Sequence, residues 1–260
     1  MMGEKLAGIT AEELGTCCFY LPQVESTNSY LKERGDQLPH GTLCYTANQT
    51  AGRGRRGRSW EVKPGQSLAM SLLFRPGNGL ERLPLLCGLA GVQALYELTG
   101  TAFQIKWPND IVCSGQKVCG ILCESRLEKD GGFTVAGMGF NLLQTEEEFR
   151  SMGLYHAASV RQLTGRVLTP EQLTAAVVNA LEPLWRQERA EGFASLREAY
   201  KAACVTLNRP VKVLAPDGGV LLEGVATDIQ SDGCLLVETS AGPRVVEAGE
   251  VSVRGLYGYV

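Results

Sequence analysis

The order of hydrophobic and polar positions predicts a series of strands and helices over most of the chain. Residues 17–21 form a short apolar run, and in residues 41–48 apolar side chains alternate with polar ones. Alternation with a period of two is typical of a strand with one buried face. Residues 67–74 are almost continuously apolar. Such a run predicts a strand that is buried on both faces, near the middle of a sheet.

Apolar residues spaced by three and four positions predict the helices. Residues 80–99 carry this spacing, and Gly100 follows them as a helix stop. A shorter helix is predicted to begin at Ser26 or Thr27 and to end at Gly35, because hydroxyl side chains cap helix N-termini. The same signals predict two later helices, one opened by a capping box with proline at residues 169–172 and one over residues 193–203.

A polar bend lies between two strands in the centre of the chain. One strand enters and another leaves within residues 103–112, and Pro108 forces the bend between them. Further strands are predicted over residues 117–125 and 133–142. The second of these contains Gly137 and Gly139. Glycines inside a strand indicate close approach by another backbone or by a ligand.

The pattern changes near the end of the chain, and this change sets the predicted fold. From residue 209 onward there are short strands, broken by turns at residues 216–219, 231–233 and 241–243. Short strands at regular spacing predict a small barrel. The predicted fold class is therefore α+β. A mixed sheet with flanking helices is expected over residues 1–207, and a small β-barrel over residues 208–260.

Composition narrows the class of protein. The chain has 260 residues, 44% of them hydrophobic and 20% charged, and its formal net charge is −3. No apolar run approaches the ~20 residues that span a bilayer, and no signal peptide is visible near the start. The nine cysteines are scattered and form no C-x-x-C pair, so zinc is not expected. Reduced cysteines in a cytoplasmic protein are the simplest interpretation.

The most unusual stretch is a loop at residues 49–60. It holds three glycines and four arginines within residues 52–58. Glycine lets backbone N–H groups come close to an anion, and arginine offers a planar fork of donors that matches carboxylate or phosphate. The composition therefore predicts a flexible cover for a small anionic ligand.

Two simpler interpretations of this loop compete with ligand binding. A basic glycine-rich run can be a solvated charge patch, or it can bind RNA without specific structure. The loop lies inside a globular pattern rather than in a tail, and the chain as a whole is slightly acidic. Nucleic-acid-binding domains are usually basic. Both points favour a small anionic ligand.

Three other polar features are candidates for ligand contact. The side chains of residues 26–28 offer more donors and acceptors than helix capping needs. The bend at residues 106–110 fits either a hairpin corner or a nucleotide site, with Trp107 as a stacking surface and Asp110 near a metal. Lys117 opens an otherwise apolar strand, where a lysine is ordinarily just an exposed charge.

Taken in order, these features resemble the biotin–protein ligase family. The similarity covers roughly residues 20–145 and is most specific in the combination of the arginine loop with the bend. It rests on STN at 26–28, GRGRRGR at 52–58, KWPND at 106–110, KVCGIL at 117–122 and GMGFNL at 137–142. The resemblance implies the biotin/lipoate ligase fold, a class II synthetase-like domain followed by an SH3-like domain.

The resemblance also implies an activity and roles for individual residues. The implied activity uses ATP and Mg²⁺ to convert biotin to biotinyl-5'-AMP, and transfers biotin to a lysine of a biotin carboxyl carrier domain of a carboxylase. Lys117 and Arg53 would be catalytic, and Asp110 would lie at the metal. The implied biotin-binding residues are Ser26, Thr27, Asn28, Gln49, Arg53, Gly54, Arg55, Lys117 and Gly120. The implied nucleotide-binding residues are Arg53, Arg55, Arg56, Trp60, Lys106, Asn109, Asp110 and Asn141.

Several alternatives stay open on the sequence alone. A lipoate ligase or an octanoyltransferase would share the fold, and a transferase could use a thiol such as Cys119 in place of ATP chemistry. A non-catalytic sensor of biotin or its adenylate is a third possibility. About 20 residues precede the motifs, so the sequence shows no room for the DNA-binding helix-turn-helix of repressor members. Neither specific DNA binding nor a membrane partner is expected, and the oligomeric state is open, a homodimer included.

Overall fold

A seven-stranded mixed sheet forms the larger part of the protein. The computed structural model describes residues 4–60, 63–75, 77, 79–128, 131–248, 252–255 and 259. The strands are β1 (Cys18–Tyr20), β2 (Leu43–Thr46), β3 (Ser67–Phe74), β4 (Gln104–Lys106), β5 (Asp110–Cys113), β6 (Gln116–Glu128) and β7 (Gly131–Asn141). Their order across the sheet is β1–β2–β3–β7–β6–β5–β4. Strands β1 and β2 are parallel, and the other neighbours are antiparallel.

Strand β3 lies inside the sheet, as its continuous apolar pattern predicts. All eight of its residues are buried, and it pairs with β2 on one side and β7 on the other. Its side chains point alternately to the two faces of the sheet. Leu68, Met70 and Leu72 join the main hydrophobic core, whereas Leu73 joins a smaller cluster on the opposite face.

Helices cover both faces of this sheet. They are α1 (Thr27–Arg34), α2 (Leu83–Thr99), α3 (Glu146–Ser151), α4 (Val160–Thr164), α5 (Pro170–Glu191) and α6 (Arg197–Ala203). Helices α2 and α5 contribute more residues to the main core than any other helix, and α1 contributes Leu31 to the smaller cluster. The predicted capping box of α5 is present, with Thr169 accepting from the N–H of Gln172 and Pro170 at the first position. The predicted end of α2 at Gly100 is also confirmed, with that glycine in the left-handed conformation.

Helix α1 begins and ends where the sequence predicts, but its end has another cause. The Ser26 hydroxyl accepts from the N–H of Ser29 and caps the helix. Gly35 has φ −55°, so it is not a left-handed terminator, and the chain continues into a 3₁₀ turn. A Cβ at position 35 would lie 2.3 Å from the Phe133 ring. Gly35 is therefore required by packing against the sheet.

The predicted bend is an antiparallel hairpin. Strands β4 and β5 pair with Lys106 opposite Asp110, and the Trp107–Pro108 peptide between them is cis. Both residues of this pair are buried, at 5% and 8% exposure. The hairpin forms one edge of the sheet, and it directs its polar side chains toward the arginine loop.

The end of the chain forms a second, separate sheet. Its strands are β8 (Arg209–Leu214), β9 (Val220–Ile229), β10 (Leu235–Thr239), β11 (Gly242–Val246) and β12 (Ser252–Gly255), in the order β11–β10–β9–β8–β12. All neighbouring strands are antiparallel. The predicted α+β class with a terminal unit of short strands is therefore confirmed. The last helix ends at Ala203 and β8 begins at Arg209, and we propose a domain boundary between residues 207 and 208.

None of the described helices is both long enough and apolar enough to cross a bilayer.

Candidate active site

Two adjoining cavities lie where the arginine loop, the hairpin and β6 meet. The outer cleft has a volume of about 710 Å³, and the inner compartment a volume of about 60 Å³. Five residues line both of them, namely Gly54, Arg55, Trp60, Asn109 and Lys117. The three sequence motifs that are far apart along the chain therefore meet at the junction of the two cavities.

The structure brings the predicted site residues together in two groups. The nine predicted biotin-binding residues all line the inner compartment. Of the predicted nucleotide-binding residues, Arg55, Arg56, Trp60, Lys106, Asn109, Asp110 and Asn141 line the outer cleft. Arg53 is the exception, since it lines the inner compartment alone.

A connected set of hydrogen bonds fixes the polar end of the inner compartment. The Asn28 amide donates to the carbonyl oxygen of Leu122 at 3.1 Å and to Oε2 of Glu124 at 2.9 Å. Its Oδ1 lies 2.7 Å from the Ser71 hydroxyl, which must donate to it because that oxygen can only accept. Thr27 donates its backbone N–H to Oε1 of Gln49 at 3.0 Å. The compartment therefore presents donors and acceptors that are already oriented.

Glycines bring the strand backbones close to these groups. A Cβ at Gly137 would lie 2.1 Å from Oδ1 of Asn28, and one at Gly139 would lie 2.6 Å from Nε1 of Trp60. A Cβ at Gly120 would lie 3.0 Å from the Trp60 ring. The strand glycines therefore mark close approach, but the approaching groups are the side chains of Asn28 and Trp60, whereas the sequence predicts a backbone or a ligand. These contacts also place the Trp60 ring across the floor of the inner compartment.

The arginine loop folds back on itself and is closed by backbone hydrogen bonds of its own. The N–H of Gly54 donates to the carbonyl of Arg58 at 2.7 Å, and the N–H of Trp60 donates to that of Gly52 at 2.8 Å. At its tip, Arg56 has φ +60°, a left-handed conformation that few side chains adopt without tertiary support.

Two arginines of the loop reach the second sheet and the bend. The Arg55 guanidinium donates to Oδ1 of Asn109 at 2.9 Å and to the carbonyl of Ala248 at 3.3 Å. The Arg56 guanidinium donates to the carbonyl of Ala215. The loop is therefore held between the hairpin and the C-terminal sheet.

Glu124 is a site residue that the sequence pattern did not single out. It forms an ion pair with Lys32 at 2.7 Å and a longer one with Arg53 at 3.7 Å. Burial raises the pKa of Glu124, but hydrogen bonds from Lys32 and Asn28 outweigh this and hold the pKa below its usual value. The ionised carboxylate therefore anchors Asn28 and attracts the loop. The alternation of β6 could have indicated it, because Leu122 and Glu124 point to the same face.

The outer cleft is strongly cationic. Its described lining includes one carboxylate, Asp110, and six cationic side chains, namely Arg55, Arg56, Arg58, Lys106, Lys117 and Arg254. The Lys117 ammonium forms an ion pair with Oδ1 of Asp110 at 2.6 Å. Burial raises the pKa of Asp110, but the charges of Lys117 and Lys106 outweigh burial and hold the pKa low. The cleft therefore carries a large excess of positive charge.

Lys106 is buried and forms no ion pair with any carboxylate of the described residues. No hydrogen bond or ion pair of its ammonium occurs within the described part of the chain. Burial lowers the pKa of Lys106 to about 7, against the opposing effect of Asp110. The ammonium lies 3.8 Å from the centre of the Tyr259 ring.

Tyr259 and His156 also line the cleft, and the sequence pattern indicated neither. Their rings stack with centroids 5.5 Å apart and planes inclined by 19°. The Tyr259 hydroxyl donates to Oδ2 of Asp110. Tyr259 lies beyond β12, and no local pattern relates it to a residue of the hairpin 149 positions earlier.

Asn141 lines the outer cleft, and its side-chain amide contacts backbone carbonyls of the cleft wall. Its amide donates to the carbonyl of Ala158 at 3.2 Å and lies 3.5 Å from that of Lys117. The backbone of Lys117 is held from the other side, because its N–H donates to the carbonyl of His156 at 2.6 Å. These bonds fix the strand end that presents the Lys117 side chain to the junction.

The donor set of the outer cleft suits a metal only in combination with other ligands. Within the described ranges there is no group of three or more His, Cys, Asp or Glu side chains that could hold a metal by itself. Mg²⁺ ordinarily keeps several waters and takes one or two carboxylates together with substrate phosphates. Asp110 fits such a metal, which would enter with a phosphate ligand.

The arrangement as a whole can bring two anions together. The inner compartment offers oriented polar groups, the outer cleft offers cations, and Lys117 and Arg55 lie at their junction. An anionic group bound inside would therefore face an anionic group bound outside, with positive charge between them. Such preorganised charge lowers the barrier of a reaction that joins two anions.

Comparisons with known proteins agree with this geometry. Residues 20–141 match the biotin/lipoate A/B protein ligase family, and residues 206–254 match the biotin protein ligase C-terminal domain. The chain is 33% identical over 243 residues to a biotin–[acetyl-CoA-carboxylase] ligase of Paracoccus denitrificans, a match that covers 90% of this chain and 100% of the relative.

Two further comparisons extend the match. The chain is 30% identical to the bifunctional ligase/repressor BirA of Bacillus subtilis, covering 95% of this chain and 77% of the relative. Among solved structures, a biotin protein ligase from Aquifex aeolicus in complex with biotin and ATP superposes with a TM-score of 0.80. That match has 30% identity and covers 92% of this chain and 98% of the other.

Proposed function

This chain belongs to the biotin/lipoate A/B protein ligase family, and we propose that it is an ATP-dependent biotin protein ligase that attaches biotin to a carrier lysine. The observation that carries this proposal is the junction of the two cavities. The inner compartment would hold biotin, and the outer cleft would hold ATP. Lys117 and Arg55 would then lie between the biotin carboxylate and the α-phosphate.

The first step joins the carboxylate to the nucleotide. An oxygen of the biotin carboxylate attacks the α-phosphorus of ATP, the bond to the bridging oxygen breaks and pyrophosphate leaves. The reacting groups are both anionic and repel each other at bonding distance. Lys117 offsets this repulsion, which makes it the principal catalytic residue, and Arg53 adds positive charge from the loop.

Mg²⁺ bound to the ATP phosphates would neutralise charge on the leaving pyrophosphate. Asp110, with Asn109 beside it, would contact such a metal through Oδ1, after Lys117 leaves that oxygen for the reacting groups. The cations of the outer cleft, including Lys106 and Arg56, would bind the phosphates. Adenine stacking by Trp60 stays a prediction, because the ring now lies in the inner compartment against Gly139.

The second step transfers biotin to the carrier. The amine of a carrier lysine attacks the carbonyl carbon of the mixed anhydride, AMP leaves, and the amine gives up a proton to solvent. The adenylate must be shielded from water until the carrier domain arrives. The arginine loop would do this, and two observations support it: the loop lines both cavities, and Arg55 holds it to the bend.

The thiol-based alternative is disfavoured by the burial of Cys119. Its side chain is fully buried, and burial raises its pKa well above the usual value. A thiol must ionise to act as a nucleophile. An octanoyltransferase that uses Cys119 is therefore not supported. Two alternatives remain: a lipoate ligase would differ from the proposal in its substrate, and a non-catalytic sensor would differ in releasing no pyrophosphate.

The deciding experiment is biotin-dependent release of pyrophosphate from ATP, followed by labelling of a biotin carboxyl carrier domain. We expect both with biotin and neither with lipoate or octanoate. Activity with lipoate alone would replace the proposal with a lipoate ligase. Biotin binding without pyrophosphate release, in a protein confirmed to be folded, would identify a sensor.

A further inference from the structure

The outer cleft contains an aromatic residue from the far end of the chain, in contact with two charged residues of the hairpin. The Tyr259 hydroxyl donates to Oδ2 of Asp110, and the face of its ring lies 3.8 Å from the Lys106 ammonium. Lys117 forms its ion pair with the other carboxylate oxygen, Oδ1, at 2.6 Å. Both oxygens of Asp110 are therefore engaged by partners other than Lys106.

The contacts of Tyr259 and Lys117 with Asp110 explain why Lys106 and Asp110 do not form an ion pair with each other. Lys106 and Asp110 are directly opposite each other in the β4–β5 register. A buried lysine facing a buried carboxylate would ordinarily form an ion pair, because an unpaired buried charge is costly. Here the lysine forms none among the described residues, and the ring face of Tyr259 stabilises its charge instead.

We propose that Tyr259 is a positioning residue that keeps Lys106 free to bind a phosphate of the nucleotide. It does so in two ways, by holding Asp110 away from Lys106 and by stabilising the unpaired ammonium with its ring. The proposal deepens the assignment of the outer cleft to ATP and rests on it. It gives a residue of the C-terminal segment a direct part in the nucleotide site, although Tyr259 does not touch the reacting atoms.

The size of the cleft favours a positioning role for Tyr259 over the alternative that its side chain occupies the space of the nucleotide. Tyr259 already lines the cleft, and about 710 Å³ stays open beside it. Its ring is stacked on His156 and its hydroxyl is bonded to Asp110, so both ends of the side chain are held. A side chain held in this way acts as part of the wall.

The test is a double-mutant cycle read by binding of the α,β-methylene analogue of ATP, in which the bond to pyrophosphate cannot break. Calorimetry would compare the full chain with Tyr259→Phe, Lys106→Met and the double variant, with and without saturating biotin. We expect Tyr259→Phe to weaken binding by roughly tenfold, because the released carboxylate turns to Lys106 and the phosphate must displace it. Tyr259→Leu, which also removes the ring, should weaken binding further.

The double variant tests whether Tyr259 acts through Lys106. In the Lys106→Met background, Tyr259→Phe should change binding by less than about twofold, since there is no lysine left to neutralise. Equal losses in the two backgrounds would overturn the proposal. So would unchanged or tighter binding in Tyr259→Phe or Tyr259→Leu, because Tyr259 would then be packing only or would compete with the nucleotide.

Two controls keep the result separate from folding and from the proposed function. Tyr96→Phe removes the same atom from an exposed tyrosine of α2 and should leave binding unchanged. Biotin affinity should change by less than about threefold in Tyr259→Phe, because its contacts are outside the inner compartment. If the wild-type chain releases no pyrophosphate with biotin, the ligase proposal fails, while the cycle on the ATP analogue still decides the role of Tyr259.

Discussion

The indole ring of Trp60 lies against the backbone of Gly139, so close that a Cβ at position 139 would be 2.6 Å from Nε1. The same ring covers Gly120, and its buried Nε1 has no hydrogen-bond partner in the part of the chain that the structure describes. In this arrangement the inner compartment has room for a few waters, at about 60 Å³. Biotin is much larger, so we expect the Trp60 ring to turn away from the two glycines when biotin enters.

This movement predicts a fluorescence change that comes from one tryptophan. The chain has three, and Trp107 and Trp185 are buried in the core. We expect biotin to change the emission of the wild-type protein, and Trp60→Phe to lose most of that change. Trp185→Phe should keep it. If Trp60→Phe still shows the full change while binding biotin, the ring does not move.

Much of the site was predictable because its motifs are local. Residues 26–28, the arginine loop and the bend each carry several polar or glycine positions in one short segment, and a close family resemblance fixes their order. The strand glycines were predictable for the same reason, since a glycine inside a strand marks close approach. The structure adds what each glycine meets, which for Gly137 is Asn28 and for Gly139 is Trp60.

What the sequence could not show depends on contacts between distant segments. Tyr259 reaches Asp110 only because the C-terminal sheet lies beside the hairpin, and no local pattern encodes that contact. Lys106 is read from the sequence as one polar position of a short strand. Its burial, and with it the low pKa of its ammonium, arises from the packing around the hairpin.

The second prediction concerns the glycine that faces Asn28. A Cβ at position 137 would lie 2.1 Å from Oδ1 of Asn28, so Gly137→Ala must push the amide from its bonds to Leu122 and Glu124. We expect biotin affinity to fall by roughly a hundredfold, because an unpaired buried amide and a displaced ligand contact each cost about 1–3 kcal/mol. Titration calorimetry with biotin would measure it. Gly77→Ala, whose Cβ meets nothing within 4 Å, is the matched control and should bind normally.

The third prediction concerns retention of the adenylate by the loop. Arg55 connects the loop to Asn109 and to the carbonyl of Ala248, so Arg55→Gly should loosen closure and release biotinyl-5'-AMP. The released adenylate would label lysines of bystander proteins, which a streptavidin blot would detect. Arg55→Lys keeps the charge but not the fork of donors, and should leak less. Carrier labelling at the wild-type rate with no bystander labelling would show that Arg55 does not hold the loop.

The fourth prediction assigns Lys117 to the first step. Loss of one positioned charge in a closed site typically costs ~3–4 kcal/mol of barrier, so Lys117→Gln should slow adenylate formation by roughly a hundred- to a thousandfold. Synthetic biotinyl-5'-AMP should restore part of the transfer to the carrier, because that step no longer joins two anions. Single-turnover measurements of pyrophosphate release and carrier labelling would separate the steps. A folded variant that forms adenylate at the wild-type rate would make Lys117 an ordinary charge.

The ion pair between Lys117 and Asp110 predicts that Lys117→Gln also lowers the stability of the fold. A lysine at a strand end is ordinarily an exposed charge whose replacement leaves the fold intact, but Lys117 is the partner of a buried carboxylate at 2.6 Å. Its removal should cost about 1–3 kcal/mol of stability, because Asp110 keeps its desolvation and loses a charge partner. The double variant Lys117→Gln, Asp110→Asn should recover part of that loss in urea unfolding. No recovery would mean that the pair contributes little.

The last prediction is that Lys106 costs the protein stability in a way that depends on pH. Burial lowers the pKa of Lys106 from its usual value of 10.5 to about 7 in the folded chain. Between these two values the unfolded chain holds more protons than the folded chain, so the stability contribution of this group rises with pH across that window. At pH 7 and below, the full cost of the buried charge is present.

Lys106→Met should therefore stabilise the protein most at about pH 7, and the gain should shrink by up to roughly 1.4 kcal/mol per pH unit as the pH rises toward 10. Urea unfolding of the wild-type chain and of Lys106→Met would be compared at pH 7, 8 and 9. Titratable groups that the two proteins share contribute equally to both, so the difference reports on Lys106. A constant difference would show that Lys106 keeps its ordinary pKa. The same variant should bind the ATP analogue more weakly, because the unpaired ammonium that destabilises the fold is the one offered to the phosphate. A site that keeps a buried cation free for its ligand is less stable without that ligand, and the two measurements on Lys106→Met should move in opposite directions.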